Sequence, residues 1–189
     1  MLKKEARKNF LMLRSLLTKK QVVSKSEQIF LQWKKSILSD YNSYHIFLTI
    51  SDKKEIDTSF ILNYLWANQK KVYCSKVHHN SLLHFELTPE TKLEKNLWGI
   101  PEPIDQNPIL IKNIDCIFTP LLAYDILGNR VGYGKGYYDN FLKNHLSSTK
   151  VGLSFFEPLD AINDISRSDI PLDYIITPNY CSVFPIEVK

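Results

Sequence analysis

Glycine is scarce in this chain: six in 189 residues. Long apolar runs are absent too, and nothing approaches the roughly 18 apolar residues that a membrane helix needs. The three cysteines (Cys74, Cys116, Cys181) are far apart and follow no CxxC or metal-ligand spacing. Neither a disulfide framework nor a zinc site follows from them. Cys116 lies inside the apolar run IDCIF and reads as core. Five histidines form no HExxH-type pair, and His78 and His79, as neighbours, are expected to point apart. There is little excess charge of one sign: the net charge is +4 with lysines spread along the chain, a solvated surface rather than a nucleic-acid footprint. At the N-terminus Arg14 interrupts the one apolar stretch that resembles a signal-peptide core, so the chain reads as cytoplasmic.

What is present is a globular composition, 44% apolar and 12% aromatic, enough for one domain with a real core. Residues 1–39 carry two helical patterns. Leu2, Ala6, Phe10, Leu13 and Leu17 mark the first; Val23, Ile29, Phe30, Trp33 and Ile37 mark a second over residues 22–38. YHIFLTI (44–50), KVYC (71–74), SLLHFELT (81–88), IDCIF (114–118), KVGLSF (150–155) and LDYIIT (172–177) read as strands. Thr58 is placed to cap a helix running through Leu65 and Trp66, WGIPEP (98–103) reads as a proline-punctuated loop, and YYDNFLKNHL as a helix to about Leu146. Strands alternating with helices predict a single α/β domain over 1–189, a mostly parallel sheet flanked by helices with an N-terminal helical segment.

Four of the six glycines fall in GNRVGYGKGYYDN, residues 128–140. In this reading a buried strand runs out through Thr119 and Pro120 into a glycine-rich loop that opens a helix. Ligands of open α/β sheets sit beyond the carboxyl ends of the strands. Backbone amides without Cβ atoms, assisted by Arg130 and Lys135, suit phosphate, and a carboxylate such as Asp139 suits magnesium. The pattern is GxGxG followed by no Ser or Thr, so it is neither the dinucleotide fingerprint nor the Walker loop. A tight connection with flexible turns accounts for the glycines alone. Two other classes stay open on the residues: a sugar-phosphate isomerase, which needs no nucleotide, and an RNA-binding module, which a basic stripe interleaved with aromatics would mark. No such stripe is found.

PLLAYDILGNRVGYGKGYYDNFL (120–142) closely resembles the signature of the 5-formyltetrahydrofolate cyclo-ligase family. KKEAR (3–7), KKEIDT (53–58), WGIPEP (98–103) and SDIPLDYIIT (168–177) follow the family's order along nearly the whole chain. The resemblance implies an enzyme that uses ATP and Mg2+ to cyclise 5-formyltetrahydrofolate to 5,10-methenyltetrahydrofolate, releasing ADP and phosphate through a phosphorylated formyl intermediate. It implies small-molecule partners only, no nucleic acid or membrane, and a monomer or weak homodimer. Lys3, Lys4 and Arg7 are then expected at the nucleotide, with Arg130, Gly132, Tyr133, Gly134, Lys135, Gly136, Tyr137 and Tyr138 around its phosphates. Arg130 and Lys135 would carry the catalytic charge. Asp139 and Asp169 match magnesium carboxylates. Ile50 and Glu55 match folate-contacting positions, Glu55 accepting from the pterin's amino and ring N–H groups, and Trp98 and Tyr133 supply aromatic walls.

Overall fold

The computed structural model describes residues 1–79, 81–97 and 99–185. Trp98 therefore lies outside the described residues. The N-terminal helical region is two helices, α1 (Lys3–Leu16) and α2 (Lys19–Lys34). They separate at Thr18, whose Oγ1 accepts from the Gln21 amide at 3.2 Å while Gln21 Oε1 accepts from the Thr18 amide at 2.8 Å, a capping box. At the start of α1, Asp164 Oδ1 accepts from the Lys3 amide at 2.7 Å, placing negative charge at the positive end of the helix.

Strand β1 (Ser43–His45) is shorter than its apolar run. Pairing persists through the Ile46 amide, which donates to Tyr73 O at 2.8 Å. The chain then folds away, because the Ile50 amide is taken by the Glu55 side chain and Thr49 Oγ1 by Ile56 O. α3 (Ser59–Ala67) begins after Thr58 as expected, but that hydroxyl does not cap it. Thr58 Oγ1 donates to Phe47 O at 3.1 Å, and Asp57 Oδ1 takes the Ser59 amide instead. β2 (Lys71–His78) and β3 (Ser81–Glu86) form an antiparallel hairpin. His79 leaves β2 in the left-handed region (φ 52°), which brings its ring within 4.2 Å of His78; the two do not point apart.

WGIPEP is not all loop. β4 (Leu93–Lys95) pairs antiparallel with β5 (Pro101–Pro103), where proline is tolerated because the pair is isolated from the main sheet. β6 (Cys116–Thr119) follows, then a small hairpin of β7 (Ala123–Tyr124) and β8 (Arg130–Val131). α4 (Tyr137–Lys143) stops three residues before Leu146, because the Asn144 and His145 amides tighten onto Phe141 O and Leu142 O. β9 (Thr149–Leu153), β10 (Tyr174–Ile176) and β11 (Cys181–Val183) complete the chain.

The main sheet runs β11-β10-β9-β6-β1-β2-β3. Its five central strands are parallel and both edge pairings are antiparallel, so the structure is the mostly parallel α/β sheet the alternation predicted. β6 is buried along its length, and its period-2 alternation serves two cores. Cys116 and Phe118 pack with Ile29 and Trp33 of α2 and Leu65 of α3; Ile117 packs with Phe141 and Leu142 of α4. All three cysteines are free thiols. Among the described residues no helix is long and apolar enough to cross a membrane.

Candidate functional site

Beyond the carboxyl ends of β1 and β6 lies a cleft of about 710 Å³. The loop after β1, the outer part of the β2–β3 hairpin, α1, residues 130–143 and the segment of Ser168 and Asp169 shape it, together with Ile100. Pro120 ends β6 at its floor. α1 is held there by Ala6 and Phe10, which pack with Leu122, Ala123, Val131 and Ile162. That apolar contact turns Lys3 and Arg7, one turn apart, into the cleft. Lys4 sits a third of a turn away and is exposed outside it.

The glycine-rich stretch divides in two. Asp125, 1% exposed, folds the first half: its Oδ1 accepts from the Leu127 and Asn129 amides, each at 3.0 Å. Gly128 (φ +85°) turns this hairpin against Leu172 and Phe184, where a Cβ would come within 2.9 Å of Leu172 O and of the Phe184 ring. The sequence pattern groups Gly128 with the ligand glycines; the structure makes it scaffold. The second half faces the cleft. Gly134 (φ +91°) and Gly136 (φ +70°) adopt backbone open to glycine, and a Cβ at Gly134 would stand 3.1 Å from Arg7 Cζ. Arg7 Nε donates to Gly132 O at 2.9 Å, tying α1 to the loop. Gly136 immediately precedes α4.

Two sets of polar contacts line the cleft. In the first, Arg130 Nη2 donates to Asp139 Oδ1 at 2.7 Å, and the Ile170 amide meets the same oxygen at 3.1 Å. Lys3 Nζ pairs with Asp169 Oδ2. The Arg130 side chain is 5% exposed; burial pulls its guanidinium down from its ordinary range, and Asp139 opposes that pull. Lys135 is exposed and makes no hydrogen bond or ion pair with a described residue. In the second set, the Tyr133 hydroxyl donates to Glu55 Oε1 and accepts from Arg14 Nη2 at 2.5 Å, while Glu55 Oε2 accepts from the Ile50 amide at 2.9 Å. Arg14 Nη2 lies 4.0 Å from Glu55 Oε1. Lys53 Nζ stands 5.0 Å above the Tyr133 ring. Burial, then the Glu55 charge, raise the Tyr133 phenol's pKa.

The cleft thus brings together Lys3, Arg7, Ile50, Glu55, Arg130, residues 132–138, Asp139 and Asp169. Sequence reasoning missed Arg14 and Lys53. Arg14 reads as an interruption in an apolar stretch and Lys53 as one of many lysines; only tertiary contact gives either a partner. The apolar lining of Phe47, Leu48, Val77, Leu82 and Ile100 was equally hidden. No group of three or more His, Cys, Asp or Glu side chains suited to a metal ion occurs among the described residues. Magnesium, which characteristically binds through one or two carboxylates plus phosphate oxygens and water, needs no such group. Asp139 meets Arg130 and Ile170 through Oδ1 alone, and its Oδ2 has no partner among the described residues.

Residues 1–178 match the 5-formyltetrahydrofolate cyclo-ligase family. The chain belongs to that family. A 5-formyltetrahydrofolate cyclo-ligase of Haemophilus influenzae is 34% identical over 137 residues, covering 69% of this chain and 73% of that protein. The Escherichia coli (strain K12) protein of the same name is 34% identical over 132 residues, covering 66% and 72%. The solved structure of Aquifex aeolicus 5,10-methenyltetrahydrofolate synthetase aligns with a TM-score of 0.83 at 26% identity, over 100% of this chain and 96% of that one.

Proposed function

We propose that this chain cyclises 5-formyltetrahydrofolate to 5,10-methenyltetrahydrofolate at the expense of ATP. The observation that carries the reading is the single cleft in which a cation-rich glycine loop and the Glu55 carboxylate stand over an apolar lining. A triphosphate calls for the first, a pterin for the second and third.

The chemistry asks little covalent work of the protein. The formyl oxygen attacks the γ-phosphorus and ADP leaves. The neighbouring folate nitrogen then attacks the formyl carbon, closing the ring, and the formyl oxygen departs within inorganic phosphate. Phosphorylation replaces a poor leaving group with a good one, so no enzyme nucleophile is required. What the protein supplies is position and charge. Lys135 carries an unneutralised ammonium to the phosphates, and Arg130, fixed by Asp139, presents a buried guanidinium beside them. Lys3 and Arg7 add charge from α1. The amides of residues 132–136 approach the phosphate oxygens because Gly132, Gly134 and Gly136 carry no Cβ. Asp139 and Asp169 would hold magnesium, which when bound neutralises phosphate charge. Glu55, steadied by the Ile50 amide, accepts from the pterin's donors, and Tyr133 supplies an aromatic face.

Incubation with 5-formyltetrahydrofolate and magnesium-ATP tests this through the near-ultraviolet absorbance of the methenyl product. Absorbance should rise, with one ADP per methenyl group. A folded protein that yields no absorbance change, or the same change without ATP, overturns the reading.

A further inference from the structure

Glu55 is 6% exposed. A ligand carrying two donors reaches its carboxylate only if one of its present neighbours gives way. The Ile50 amide belongs to the loop that Glu55 itself folds, and Arg14, whose side chain is 8% exposed, is anchored on α1. Tyr133 is different. It is 39% exposed, it stands between Gly132 and Gly134, and the Gly134 backbone (φ +91°) is of a kind that pivots without steric penalty. We propose that Tyr133 is a positioning residue whose hydroxyl competes with the folate's pterin donors for Glu55 Oε1, so that nucleotide contact with residues 132–136 and access to Glu55 are coupled. The proposal rests on the reading of Glu55 as the pterin carboxylate.

The same short segment serves both substrates. Its amides and Lys135 face the phosphates, while its one aromatic side chain occupies the acceptor meant for the pterin. Phosphate oxygens that draw residues 132–136 together shift Tyr133 away from Glu55. Arg14 stays behind, 4.0 Å from Oε1, so the carboxylate keeps a cationic neighbour when the hydroxyl leaves. Lys53, above the Tyr133 ring, favours the docked position and sets how readily it is left. Binding linkage is reciprocal: whatever factor the nucleotide adds to folate affinity, folate adds to nucleotide affinity.

Calorimetric titration with 5-formyltetrahydrofolate, alone and with a saturating non-hydrolysable ATP analogue plus magnesium, separates the outcomes. In the unmodified protein the analogue should tighten folate binding roughly tenfold, the low end of what one hydrogen bond to a charged group contributes. Tyr133→Phe, folded at the assay temperature by its melting curve, should bind folate without nucleotide about tenfold more tightly than the parent, and the analogue should add less than twofold. Equal or weaker folate binding by Y133F, or an undiminished response to the analogue, overturns the proposal while leaving the cyclo-ligase reading intact. If neither protein binds 5-formyltetrahydrofolate under either condition, the reading of the cleft fails and the proposal falls with it.

Discussion

The two halves of the glycine-rich stretch look alike in composition and do opposite things. Residues 125–129 form a turn whose carboxylate, Asp125, ties the Leu127 and Asn129 amides to the Ile162 amide, and whose glycine is pressed against Leu172 and Phe184. Residues 132–139 open into the cleft, where Gly136 has nothing within 4 Å of a would-be Cβ. Neighbouring segments of one motif divide into a frame and a cleft-facing edge. What separates them is the surroundings of each glycine, not its presence.

Substitutions at paired glycines should break this symmetry most visibly. Gly128→Ala forces a side chain into positive-φ backbone and against a fixed carbonyl, and should destabilise the fold by about 3 kcal/mol. Thermal unfolding would then fall by about 10 °C, with the ATP KM of the remaining folded protein unchanged. Gly134→Ala carries the same positive-φ strain but meets only the Arg7 side chain, so its loss in midpoint should be about half as large, with a roughly tenfold rise in the ATP KM as the new Cβ pushes the Arg7 guanidinium. An ATP-binding defect in Gly128→Ala with no loss of stability would abolish the division.

Lys135→Ala sharpens the same contrast from the charge side. It removes a cation that supports no contact among the described residues. The midpoint should therefore hold while kcat/KM for ATP falls roughly 100-fold, as loss of a transition-state charge contact does. Steady-state kinetics beside a melting curve check both halves.

The smallest effect concerns the frame alone. Under α4, His45 Nε2 and His84 Nδ1 lie 3.3 Å apart, with Phe141 against both rings and His145 against Phe141. Burial, then the neighbouring His145, hold His84 down to about 4, and the other two are lowered by burial as well. Below about pH 6.5 the unfolded chain gains protons that the folded one refuses until about pH 4. Stability should thus fall as pH drops through that window, His84 contributing on the order of 1–2 kcal/mol once its partial exposure is discounted. Melting curves from pH 7 to 4.5 should show a shallower decline in His84→Gln.

Much of the frame was legible because it obeys local rules. Helical spacing in residues 1–38 and the β-branched runs around Cys116 and Ile175 depend on short-range pattern, and each became helix or strand. The failures have local causes as well. Residues 47–50 read as strand, yet the Glu55 and Thr49 side chains fold them back; WGIPEP read as loop, yet Pro101–Pro103 pairs with Leu93–Lys95. At the cleft, the residues with charge or glycine in the motif were readable. Arg14 and Lys53 were not, since their roles arise from a tyrosine 119 residues away in one case and a ring contact in the other. Sequence order carries no trace of such meetings.

The central claim is that the formyl oxygen is phosphorylated within this cleft. 5-Formyltetrahydrofolate labelled with 18O in its formyl group tests it directly, by mass analysis of the phosphate released in a single turnover with magnesium-ATP. The account predicts one labelled oxygen in each phosphate. Methenyl product formed alongside unlabelled phosphate, with the label recovered in water, would contradict it.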